Sequence, residues 1–158
     1  YLGRRYVLKL KRFVRSSQED ESVRLVGGRF EIHTSDFSKE HVHYLLDAWY
    51  KERAQELIPM YLEAVVSRAS WIRKVPDIKL RTMKKRWGSC SSRGVISLNS
   101  RLVCAPKECI NYVLWHEICH IKEPNHSKRF YGLLSRHLPD WEVTKIRLDE
   151  MSELLLEK

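Results

Sequence analysis

Three histidines and one glutamate hold the chemistry most legible in this sequence. His116, Glu117 and His120 stand in Trp115-His116-Glu117-Ile118-Cys119-His120, an HExxH pattern, and His126 follows six residues after His120. Positions i and i+4 of an α-helix lie about 40° apart around its axis, so His116 and His120 can offer imidazole nitrogens to one ion. Glu117 projects about 100° from His116, beside such an ion rather than onto it. A catalytic zinc takes three protein ligands and keeps a fourth position for water, whose pKa it lowers toward about 7. Glu117 stands where a general base for that water is needed. The expected cofactor is one zinc ion per chain, although imidazoles also suit other transition metals.

The third ligand must come from outside this helix. Pro124 cannot continue a helix normally and Asn125 tolerates a turn, so the chain should break after Glu123 and fold back. His126 is the nearest imidazole on the returning segment. His137 and Glu123 are weaker competitors, the first on the next helix and the second three residues past His120. An HxxxH pair alone is commonly solvated or packed in a core, and HExxH also occurs by chance. Here the neighbouring arc is apolar (Ile110, Leu114, Ile118, Ile121), a third histidine follows a break, and no other histidine has ligand spacing this specific. Cys119 points away from His120 and is not a ligand candidate.

The elements that must position these residues follow from periodicity. Tyr6 to Phe13 alternates as a strand, Ser16 to Glu21 is a polar turn, and Val23 to Val26 meets Gly27-Gly28 before Arg29 to His33 returns. This predicts a small antiparallel sheet. Ser38 can cap a long helix, stapled by Phe37 and Val42, with apolar residues at Val42, Leu45, Leu46, Trp49, Ala54, Leu57 and Ile58. Pro59 is expected to kink or divide that helix before it ends near Ser70. Ile78 to Met83 is a further strand, and Val95 to Asn99 returns after a turn over Ser91 to Gly94. Pro106 suits the first turn of the metal helix. Helices from about Ser127 to His137, and after Asp140, complete the chain.

At 158 residues the chain fits one domain: 1–37 β-rich, 38–74 scaffold helices, 76–103 a hairpin, and 105–158 the metal-site and C-terminal helices. A hydrophobic fraction of 43% and a charged fraction of 31% exclude a disordered tail, and the apolar runs are too short to span a bilayer. No membrane partner is expected. Four cysteines without a CxxC pair suggest buried thiols in a reducing compartment, so the expected location is cytoplasmic. A start at Tyr1 rather than Met suggests an N-terminally truncated chain. The sequence specifies no oligomeric state. The net charge of +9 concentrates in residues 76–110, with 8 basic and 2 acidic side chains. A basic surface of this kind serves solubility or an acidic partner such as nucleic acid.

Trp49-Tyr50-Lys51-Glu52-Arg53-Ala54, Arg86-Trp87-Gly88-Ser89-Cys90-Ser91, Ile96-Ser97-Leu98-Asn99, the HEICH run, Asn125 to Phe130 and Leu138-Pro139-Asp140-Trp141 together resemble the YgjP-like zinc metallopeptidases. That family is related to WLM and SprT-like (Spartan) proteases in the zincin superfamily. With Tyr1 to Tyr6, the likeness covers nearly the whole chain. It implies an α+β zincin-like fold: a small twisted antiparallel or mixed sheet, a long scaffold helix and the HExxH helix. It implies ligands at His116, His120 and His126 with Glu117 as base, in a zinc metalloendopeptidase acting on protein or peptide substrates. The strand 95–99 is the expected substrate edge, with Trp87, Ile96, Ser97, Leu98 and Asn99 as candidate cleft residues. The alternative function is a metal-stabilised nucleic-acid-binding module in which Lys84, Lys85, Arg86 and Arg93 contact phosphates.

Overall fold

The computed structural model describes residues 1–12 and 21–156; the Phe13 end of the expected first strand, all of the expected Ser16 to Glu21 turn except Glu21, and the last two residues lie outside them. Strand β1 (Val7–Arg12), β2 (Ser22–Val26) and β3 (Arg29–Thr34) form a sheet of order β1-β3-β2. Gly27 and Gly28 make the β2–β3 turn with φ of 55° and 75°, the left-handed region that glycine tolerates. The sheet is mixed, not antiparallel as expected: β1 runs parallel to β3, with Val7 opposite Arg29. Alternation assigns faces but not partners, and β3, which buries Phe30, Ile32 and Thr34, takes the centre.

Helix α1 (Lys39–Val66) is capped by Ser38, whose Oγ accepts from the His41 amide at 3.3 Å. Of the two outcomes expected at Pro59, a kink or a division, the helix is not divided. Pro59 and Met60 face solvent while Ile58 and Leu62 are fully buried. The missing amide donor therefore lies on the wet side, and packing of the other face holds the helix together.

The second sheet contains β4 (Ile78–Arg81), β5 (Gly88–Cys90) and β6 (Ile96–Asn99) in the order β4-β6-β5. Strand β6 is thus central, with Ile96 and Leu98 buried, and is not the exposed edge expected from its place before the metal helix. A 3-10 turn (Ser100–Cys104) leads into α2 (Lys107–Lys122), followed by α3 (Lys128–His137) and α4 (Trp141–Leu155). Asp140 stands at the N-cap of α4 but makes no side-chain capping bond.

Helix α2 runs through the core. Ile110, Leu114, Trp115 and Ile118 are fully buried and share one cluster with Leu62 of α1, Leu98 of β6, Phe130 and Leu134 of α3, and Leu148 of α4. Each such side chain contributes about 1.5–3 kcal/mol through burial. The helix that presents the histidines is therefore held on several sides.

Candidate metal centre

Helix α2 places His116 and His120 one turn apart and ends at Lys122; Glu123 then adopts an extended conformation ahead of Pro124. Ser127 restarts the chain as α3, its Oγ accepting from the Phe130 amide at 3.3 Å, and this return brings His126 back over α2. The Nε2 atoms of the three imidazoles converge: His116 to His120 at 3.2 Å, His120 to His126 at 3.1 Å, and His126 to His116 at 3.0 Å. Nitrogens about 2.0–2.1 Å from one tetrahedral ion stand roughly 3.3 Å apart, so the donor set fits a metal. The competitors fall elsewhere. His137 stacks on Trp115 with ring centroids 4.0 Å apart, and Glu123 enters the site through its carbonyl.

That carbonyl fixes a tautomer. His120 Nδ1 donates to Glu123 O at 3.2 Å, leaving Nε2 as the lone-pair donor. Phe130 packs against all three imidazoles, with centroids 5.0, 4.6 and 4.8 Å from His116, His120 and His126. Burial, helped by the neighbouring His120 and His126, lowers the His116 pKa to about 4, and burial also lowers that of His120. Neutral imidazoles are the metal-binding form.

Glu117 is buried, and its Oε2 has no hydrogen-bond partner among the described residues. Burial raises its pKa to about 7, against a smaller downward pull from Arg86. Gly88 of β5 lies against this carboxyl. A Cβ there would stand 2.6 Å from Oε1, so only glycine lets the strand come this close.

The open cleft beside the histidines has a volume of about 770 Å³. One wall is the stretch Gly88 to Gly94, and the other is formed by α2 and the Pro124–His126 return. The residues expected to line it from β6 do not. Ile96 and Leu98 are core, Ser97 is half-buried opposite Ser89, and Asn99 is fully buried. Asn99 Nδ2 donates to the carbonyls of Met83 at 2.7 Å and Arg86 at 3.3 Å, which pins the turn leading to β5. Trp87 donates through Nε1 to Ser152 Oγ at 2.9 Å and lines not the open cleft but a smaller cavity that also reaches Gly88, His116 and Glu117. Lys84, Lys85 and Arg86 are exposed on the turn before β5, whereas Arg93 stands on the turn after it, at the cleft. Gly88 and Phe130 were missed from sequence. Their signals are a glycine that opens the site strand and an aromatic four residues past His126.

The family model for the YgjP-like metallopeptidase domain matches residues 1–151. The fold is similar to the crystal structure of the metallopeptidase zymogen abylysin of Pyrococcus abyssi, with a TM-score of 0.56 and 22% identity over 64% of this chain and 98% of that one. It is also similar to the zymogen jannalysin of Methanocaldococcus jannaschii, with a TM-score of 0.52 and 24% identity over 61% of this chain and 96% of that one. No curated protein matches the sequence.

Proposed function

This chain belongs to the YgjP-like metallopeptidase family, and from that premise we propose that it hydrolyses peptide bonds with one zinc ion held by His116, His120 and His126 and Glu117 as general base. The observation that carries this reading is the convergence of three Nε2 atoms within 3.2 Å of one another beside a buried carboxyl with one oxygen unpartnered among the described residues. Bound zinc supplies Lewis acidity toward a carbonyl and lowers the pKa of water. Glu117 takes the proton of that water and returns it to the leaving amine. In the metal-free protein burial raises its pKa to about 7; the charge of a bound zinc would draw it lower, toward the ionised form that a base needs. Phe130 and the Glu123 carbonyl keep the imidazoles oriented, which limits reorganisation during the reaction.

An extended substrate needs an unpaired strand edge. That role passes from β6 to β5, which pairs with β6 on one side and borders the cleft on the other. The test compares the zinc-loaded parent with Glu117→Gln on an unstructured protein substrate. Activity should fall by about 10²–10⁴ with zinc content unchanged. Equal activity overturns the general-base assignment. Zinc per chain in His126→Ala should fall well below the parent value, and an unchanged value moves the third ligand elsewhere.

A further inference from the structure

The cleft does not end at the histidines. Its wall at Arg93, Gly94 and Ile121 is shared with a second cavity of about 400 Å³, bounded by residues 71–77 and the turn between β5 and β6. Three exposed cations, Arg73, Lys74 and Arg93, line this trough against one carboxylate, Asp77. None of the three cations forms an ion pair among the described residues. Lys122 adds a further positive charge at the rim, 5.4 Å over the Trp71 ring.

We propose that this trough is a specificity subsite selecting acidic residues in the substrate on the N-terminal side of the cleaved bond. The inference rests on the peptide-hydrolysis reading above. Antiparallel pairing, the more stable mode, would run a peptide along β5 from Cys90 toward Gly88. Gly88 adjoins Glu117, so residues preceding the cleaved bond pass Ser91 to Gly94 and enter the trough. At about 3.3 Å per residue, that places the acidic position roughly three to five residues upstream. A single-stranded nucleic acid fits less well because it needs an open aromatic face for its bases. Trp71, the trough's one aromatic ring, is covered by Lys122, stands against Trp115 and His137, and is fixed by its Nε1 donating to the Ile118 carbonyl at 3.3 Å.

The experiment uses three peptides identical except for an Asp, Asn or Lys pair four residues before the cleaved bond. The zinc-loaded protein should favour the Asp peptide over the Asn peptide by about three- to tenfold in kcat/KM, a preference lost at high salt. Arg73→Ala/Lys74→Ala should bring the ratio toward one, and Arg93→Glu should turn it toward the Lys peptide. Binding of the fluorescein-labelled Asp peptide to Glu117→Gln, followed by anisotropy, needs no catalysis. Salt-sensitive binding weakened by Arg73→Ala/Lys74→Ala supports the subsite even if no peptide is cleaved, an outcome that would count against the hydrolytic reading alone. Cleavage without charge preference overturns the subsite and leaves hydrolysis standing. Displacement of the Asp peptide by a single-stranded oligonucleotide that binds more tightly, with the same Arg73 and Lys74 dependence, also overturns it.

Discussion

The two sheets share one topology. In each, the first strand runs parallel to the third, and the second pairs with the third as an antiparallel hairpin arm. Only β4-β6-β5 borders the histidine triad. The first sheet buries Phe30 against Trp49 of α1, with ring centroids 4.9 Å apart, and leaves Val7 and Leu8 of β1 exposed. A Cβ on Gly27 or Gly28 in its hairpin turn would meet nothing within 4 Å. The hairpin of the second sheet starts at Gly88, against the Glu117 carboxyl. A strand edge is therefore common property of this topology, and its chemistry comes from the helix it approaches.

Breaking the first sheet should cost stability and spare the metal centre. Phe30→Ala, at a position only 2% exposed, should lose about 3–5 kcal/mol in urea unfolding, while zinc affinity at low temperature stays within about twofold of the parent. Zinc loss in step with stability would erase the contrast between the sheets.

The second sheet should reveal itself through pH. The folded pKa of Glu117, about 7, lies above the ordinary value of 4.5, so between these pH values the unfolded chain releases a proton that the folded chain keeps. This contribution to the stability of the metal-free protein is present below pH 4.5 and lost as pH rises through 7, by at most about 3 kcal/mol. His116, lowered to about 4 from 6.5, has the opposite slope between those values. Denaturation of the parent and Glu117→Gln at pH 5 and pH 8 isolates the carboxyl. The variant should gain on the parent at pH 8, and equal differences at both pH values would place Glu117 in a wetter setting.

Gly88→Ala should lower kcat/KM by about a hundredfold, since the new methyl must displace the carboxylate or the strand. The zinc content should be retained. The matching change in the first sheet, Gly27→Ala at φ 55°, should cost only about 1 kcal/mol in thermal unfolding and leave the rate as it was.

Much of this was legible in the chain. Three histidines, an apolar arc and a helix break are local features, and the structure brings the imidazoles together where the spacing pointed. Ser38 caps the helix it precedes, and a helix starts beside Ser127 as its apolar spacing indicates. Strand partners were not legible: β6 precedes the metal helix in sequence yet lies in the middle of its sheet, because parallel pairing with β4 is set by the path of the chain and not by alternation. Asn99 looked like a cleft residue, but a buried amide serving backbone carbonyls has the same sequence signature. Pro59 looks like a breaker because the local signal of a proline carries no measure of how firmly the packed face, Ile58 and Leu62, holds the helix across it.

Only residues 121–125 separate His120 from His126, and Pro124 within them fixes one backbone angle. In coordination terms the centre is a chelate whose third arm is tied to the first two. So short a tether holds the free imidazole at an effective concentration of about millimolar or higher, so an ion released by His126 is recaptured before His116 and His120 let go. If the triad holds zinc as proposed, metal exchange should be timed by opening of this return segment, ahead of any unfolding of α2. Glycines inserted after Pro124 should quicken zinc transfer to a chelator while leaving the melting temperature of the metal-free protein nearly unchanged.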